Sequence, residues 1–201
     1  DNDAFKQYDF PGGCEDPRIV QTEDGLYVVA YTAWNNKFAR LSIAFSKDLF
    51  HWEKKGPAFA KANAGKFMNG WSKSGSMLTK FVNGKQVLAK IGGKYWMYWG
   101  ENGVNLAWSE NLYDWNPLVN EKGNLKLVII PRKHKFDSHL TECGPPAMVT
   151  EKGIVLFYNG KNSDKDDADP NLPKGMYSVG QVIFDVKNPE KVISRSNEPF
   201  L

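Results

Sequence analysis

Long apolar runs are missing from this sequence. Its most apolar stretches, such as Ile154-Val155-Leu156-Phe157-Tyr158, fall far short of the roughly 20 residues that a membrane-spanning helix needs. Cysteine is scarce. Cys14 and Cys143 have no metal-ligand spacing, and both are expected to be small buried hydrophobes. One-sided charge is missing too: Lys and Arg number 26 against 23 Asp and Glu. There is no clustered basic stripe of the kind that holds nucleic acid. No convincing amphipathic helix of useful length appears. The opening Asp1-Asn2-Asp3 does not read as a leader. Leaders are cleaved, so the compartment stays open, with a soluble periplasmic or extracytoplasmic location slightly ahead of a cytoplasmic one.

What the sequence has is aromatic residues, 13% of 201, seven of them Trp. Aromatic rings stack on flat amphipathic ligands such as sugars, and they also fill all-β cores. Composition alone leaves both uses open.

The chain repeats itself. Tyr27 to Asn35, Tyr95 to Asn102 and Ile154 to Asn162 each read as a strand that follows a turn, Asp24-Gly25, Gly92-Gly93 or Lys152-Gly153, and ends in polar residues. An entry strand precedes each: 16–22, 75–81 and 144–150. A second signature trails the first two units. Ser46-Lys-Asp-Leu-Phe-His-Trp52 matches Ser109-Glu-Asn-Leu-Tyr-Asp-Trp115, and positions 52 and 115 lie 63 residues apart. In the third unit Phe184-Asp185-Val186-Lys-Asn-Pro189 takes that place. Short strands, turn signals and a repeat above 40 residues predict four-stranded β-propeller blades. The blade-like units span about 13–60, 70–120 and 140–195. Closed propellers have at least four blades, so 1–201 is expected to be a single partial propeller domain, with the remaining blades supplied from outside it.

In a propeller the innermost strands line a central channel, so polar residues at their entries converge. Asp16 comes from Gly13-Cys-Glu-Asp-Pro-Arg18, where two adjacent carboxylates sit at a strand entry between a glycine and a proline. Ser74, with its neighbours Trp71 and Lys73, comes from the second unit. Glu142 comes from the third, and Glu101 ends the second strand of unit two. Three carboxylates far apart in sequence are thus expected to share one pocket, and cleavage of a glycosidic bond uses two, one protonated and one ionised. Glu15 is read as structural or outward-facing. Arg18 either binds substrate hydroxyls or holds Asp16. His51 is expected at the surface. The basic loop from Arg132 to His139 and the run from Asp164 to Asp169 are read as solvated, although His139 lies three residues before Glu142.

Gly13-Cys-Glu-Asp-Pro-Arg18, Lys94-Tyr-Trp-Met-Tyr98, Glu142-Cys-Gly-Pro-Pro-Ala-Met148 with Val155-Leu-Phe-Tyr158, and Tyr177-Ser-Val-Gly180 to Asp185 together resemble glycoside hydrolase family 130. This family comprises β-mannoside phosphorylases and β-1,2-mannosidases on a five-bladed propeller. The resemblance runs through nearly the whole chain. It implies that Asp16 is the catalytic acid, passing its proton to the glycosidic oxygen through a mannose hydroxyl. The phosphorylases hold phosphate with a His-Arg pair where this chain reads Trp99-Gly100-Glu101, and with a His where it reads Tyr158-Asn159-Gly160. Those cations are absent here, and Glu101 and Glu142 look like the glutamate pair of the hydrolytic branch.

The sequence therefore predicts an all-β fold, a five-bladed propeller of which this chain supplies about three blades. It predicts an inverting, exo-acting β-mannosidase for β-1,2-linked oligosaccharides. Asp16 is the expected acid, and Glu101 and Glu142 activate water. Arg18, Trp34, Trp71, Lys73, Ser74, Asn102, His139, Tyr158 and Asn159 contact sugar. No metal or cofactor, nucleic acid or membrane partner is called for. A mannoside phosphorylase and a non-catalytic carbohydrate-binding propeller are the alternatives.

Overall fold

The computed structural model describes residues 3–200. The chain is all-β; its helical content there is the turn α1 (Lys6–Asp9) and a 3-10 turn at Ala62–Gly65. Strands β1 (Gly13–Gln21), β2 (Tyr27–Trp34), β3 (Ala39–Ser46) and β4 (Glu53–Pro57) form an antiparallel meander. Next come β5 (Ser76–Val82), β6 (Lys85–Leu88), β7 (Lys90–Ile91), β8 (Lys94–Trp99), β9 (Val104–Ser109), β10 (Asn116–Pro117) and β11 (Leu127–Ile129). Here β5 pairs with β8, β8 with β9, and β9 with β10 and β11. The last group is β12 (Leu140–Cys143), β13 (Ala147–Thr150), β14 (Gly153–Lys161), β15 (Tyr177–Phe184) and β16 (Val192–Arg195). Both β12 and β13 pair with β14, which continues to β15 and β16.

Two features depart from the sequence reading. The expected strand 144–150 is broken: Pro145 and Pro146 have no N–H to donate to a ladder, so pairing stops at Cys143 and resumes at Ala147. In addition, β5 does not stay in one sheet. Its first residues, Ser76 and Met77, pair with β8. Its second half forms a hairpin with β6 through Asn83-Gly84 and runs parallel to β13, with Leu78 opposite Ala147.

Period-2 alternation explains the packing. On β8, Met97 and Trp99 point toward the first sheet, where they join Val28, Ala30, Leu41, Ile43 and Phe59 in one buried cluster. Tyr98 points the other way, into a cluster with Leu78, Leu106, Leu156, Tyr158, Val182 and Phe184. The middle sheet is buried on both faces, which is why β8 reads from Tyr95 to Trp99 as an unbroken apolar and aromatic run rather than an alternating one. Val29, Tyr31, Ala33 and Ala44 form a third cluster on the far face of the first sheet, against Tyr8 and Trp52.

The repeated Ser-x-Asx-Leu-x-x-Trp segment folds the same way twice. The Ser46 and Ser109 hydroxyls accept the N–H groups of Leu49 and Leu112. The Asp48 and Asn111 side chains accept two N–H groups further on, and each indole donates to its leucine carbonyl. Both leucines sit at positive φ, 69° and 72°. Surroundings differ, however: Leu112 and Trp115 are buried against Ala58 and Phe59, whereas Leu49 and Phe50 are exposed. His51 is at the surface, as expected. Of the cysteines, only Cys143 is buried; the expectation for Cys14 is corrected, since it is exposed on the bent entry of β1.

The basic loop is also corrected, because Phe136, Asp137 and Ser138 within it are buried. Asp137 is fully enclosed. It accepts hydrogen bonds from Arg132 at 2.8 and 3.1 Å, from Arg195 at 2.6 Å and from the Tyr158 hydroxyl at 2.6 Å. Removing one partner of a buried ion pair strands the rest. Asp137→Ala is therefore expected to cost ~3–5 kcal/mol of stability in urea unfolding of the full-length protein. A loss no larger than that of a surface charge would show that the two arginines find other partners.

Candidate active site

The acidic hexapeptide sits on a β-bulge. Glu15 faces Thr32 and Arg18 faces Ala30, so Asp16 and Pro17 together oppose the single Tyr31. Asp16 takes up the extra residue at φ 50°, a left-handed conformation that Asp tolerates better than most residues. A bulge bends its strand and re-aims a side chain, and here it turns the Asp16 carboxylate out of the ladder.

The segment before β5 meets it. Ser72 pins this segment to β3, donating its N–H to Ala39 O and accepting the Leu41 N–H on its hydroxyl, both at 3.0 Å. Ser74 follows at φ 57°. Between them, Lys73 extends its ammonium to three carboxylates: 3.3 Å to Asp16 Oδ2, 3.6 Å to Glu101 Oε2 and 4.0 Å to Glu142 Oε1. Burial by itself favours the neutral amine, but the charges of Glu101, Asp16 and Glu142 outweigh it and raise the Lys73 pKa above its ordinary value.

Each glutamate is also held by a neutral donor. The Trp71 indole donates to Glu101 Oε1 at 2.5 Å, and Trp71 itself stands edge-on to Trp34 with ring centres 5.7 Å apart. Ser74 donates to Glu142 Oε1 at 2.6 Å, and Asn159 approaches Oε2 at 3.4 Å. Main-chain bonds lock the frame. Gly100 N–H donates to Lys73 O, Cys143 N–H to Gly100 O, and Thr141 N–H to Glu101 O, at 2.9–3.1 Å. Asn102 bridges Thr141. Gly100 sits at φ 115°, and a Cβ there would lie 2.5 Å from Gly103 O, so the turn that presents Glu101 requires glycine. A cleft of about 470 Å³ opens beside Glu101, lined by Trp71, Lys73, Trp99, Asn102 and Leu127 among others.

Of the residues singled out from sequence, Asp16, Trp34, Trp71, Lys73, Ser74, Glu101, Asn102, Glu142 and Asn159 are gathered here. Tyr158 is not. Successive strand residues point to opposite faces, so Asn159 on β14 reaches Glu142 while Tyr158 turns inward to Asp137 and Arg195. Arg18 makes no bond to the Asp16 carboxylate; its donors go to main-chain carbonyls. His139 is exposed, and its N–H pairs with Lys161 O. Glu15 is exposed and takes no part in the cluster. The sequence reading missed Asp137 and Arg195, which lie 58 residues apart; nothing local links them.

The family model described as beta-1,4-mannooligosaccharide phosphorylase matches residues 5–201. A 1,2-beta-oligomannan phosphorylase from Thermoanaerobacter sp. (strain X514) is 31% identical over 94% of this chain and 53% of its own length. Among solved structures, a putative glycosidase from Bacteroides thetaiotaomicron VPI-5482 is 57% identical with a TM-score of 0.97, over 99% of this chain and 57% of that one. Another is described by the statement that the GH130 family of mannoside phosphorylases contains glycoside hydrolases that target beta-1,2 mannosidic linkages in Candida mannan. It is 55% identical with a TM-score of 0.98, over 100% of this chain and 56% of that one. The chain thus spans about half the length of the curated relatives it matches. With the family model covering all but its first four residues, the chain belongs to glycoside hydrolase family 130.

Proposed function

We propose that this chain carries the reacting groups of an inverting, exo-acting β-mannosidase specific for β-1,2-linked mannosides. It would supply about three blades of a five-bladed propeller. One observation carries the choice of water over phosphate: three carboxylates surround a single ammonium. A phosphate dianion entering that cluster would meet a net negative site. The linkage is supported by the relatives described as acting on β-1,2-mannosides.

In this reading Asp16 gives a proton, through a hydroxyl of the bound mannose, to the departing glycosidic oxygen as the C1–O bond breaks. A water on the opposite face gives one proton to a glutamate and bonds to C1, which inverts the anomeric centre. Glu101 suits the base role: among the described residues its Oε2 is paired with Lys73 alone, while both oxygens of Glu142 are engaged. Glu142 then positions the water. Asp16 Oδ2 and Glu101 Oε2 can be no farther apart than their 3.3 and 3.6 Å to Lys73 laid end to end. That reaches the ~6.5–9.5 Å of an inverting pair only with the ammonium between them. Trp34 and Trp71 offer an aromatic wall for a pyranose face, and Lys73, Ser74, Asn102 and Asn159 offer polar contacts.

The curated relatives are named phosphorylases, and this favours phosphate as the second reading. The full-length protein should release mannose from β-1,2-mannobiose at the same rate with and without inorganic phosphate, and NMR should show the α-anomer first. Phosphate-dependent mannose 1-phosphate would overturn the choice of water.

A further inference from the structure

We infer that Arg18 is a positioning residue, a clamp that fixes the proton donor relative to the glutamates. This rests on the reading of Asp16 and the glutamates as the reacting groups. Two interruptions of regular pairing lie at the site. One is the bulge at Asp16 and Pro17 on β1; the other is the Gly144-Pro145-Pro146 break between β12 and β13. Each presents a reacting side chain, Asp16 within the first and Glu142 two residues before the second. Such interruptions release main-chain carbonyls from the ladder, and a carboxylate held only by a loosened strand is poorly fixed.

Arg18 spans both. Its Nη1 donates to Asp16 O at 3.0 Å, its Nη2 to Cys143 O at 2.9 Å and its Nε to Gly144 O at 2.8 Å. The planar fork joins residues about 125 positions apart in sequence. A guanidinium is suited to this, with five donors in a rigid plane, whereas a lysine has one rotating ammonium. The clamp extends to Glu101 through the main chain, because Cys143 N–H donates to Gly100 O and Thr141 N–H to Glu101 O. Arg18 therefore sets the distance between donor and base, while Lys73 handles their charge. A displacement of about 1 Å between reacting groups costs ~10²-fold in rate.

The test uses the full-length protein on β-1,2-mannobiose. Arg18→Ala should lower kcat by about 10²-fold with KM little changed, and guanidinium chloride below its unfolding range should restore part of kcat. The same salt should not rescue Asp16→Asn. Arg18→Lys, which keeps the charge and the fold, should show a similar loss. A raised KM with kcat intact in either variant would make Arg18 a sugar contact and overturn the clamp, as would full activity of Arg18→Lys. Failure of the functional reading looks different: the unsubstituted protein would release no sugar, with or without phosphate.

Discussion

Asp16→Asn in the full-length protein is expected to lower kcat on β-1,2-mannobiose by about 10²–10⁴-fold, the usual worth of a positioned general acid. That corresponds to about 3–5 kcal/mol of transition-state stabilisation. The asparagine keeps the size of the side chain and leaves the bulge, Pro17 and the Arg18 bonds in place, so the far- and near-UV circular dichroism should not change. The loss should depend on the leaving group. A mannoside carrying a 2,4-dinitrophenyl group departs without a proton, and with it the deficit should shrink strongly. An equal deficit on both substrates would mean that Asp16 binds rather than donates. Unchanged turnover of β-1,2-mannobiose would remove it from the chemistry and favour a carbohydrate-binding propeller.

The second large effect separates the glutamates. Glu101→Gln should lose about 10²–10⁴-fold in kcat, because the amide cannot take a proton from water. Azide, which needs no base, should restore turnover and appear in the product as α-mannosyl azide. Glu142→Gln should lose less and resist rescue, since an amide oxygen still accepts from Ser74. Reversed behaviour, with azide rescuing only Glu142→Gln, would exchange the two roles. No azide adduct in either variant would argue against an activated water altogether. Trp71 adds an internal control: it holds Glu101 through the indole N–H, so the two residues should not behave additively when changed together.

How much of this was legible in the sequence follows from where the information lies. The second strands Tyr27, Tyr95 and Ile154 lead are local, with alternation and a turn before each, and they appear as β2, β8 and β14. The split of β5 between two neighbours depends on a parallel pairing with β13, some 70 residues away, and no local pattern encodes it. The hairpin between β5 and β6, by contrast, has a local signal in Asn83-Gly84. At the site, Glu101 and Glu142 stand out because apolar or small residues flank each, and Asp16 because it adjoins a second acid, Glu15, at a strand entry. Tyr158 was misplaced for a reason visible beforehand: it and Asn159 cannot both face the mouth from one strand. The loop around Asp137 looked solvated because charge dominates its composition, yet its aspartate has partners at positions 132, 158 and 195.

The frame of the mouth is main chain. Lys73, Gly100, Glu101, Thr141 and Cys143 are linked through N–H and C=O groups, which a side-chain substitution does not remove. The parts that in the proposed reading choose between water and phosphate, Glu101 and Asn159, hang from that frame and contribute no backbone bond to it that another residue type would lack. Within a family whose relatives are named as phosphorylases and as hydrolases, such a design makes the attacking molecule an interchangeable fitting. In that reading a lineage can exchange it by side-chain substitutions without rebuilding the main-chain frame.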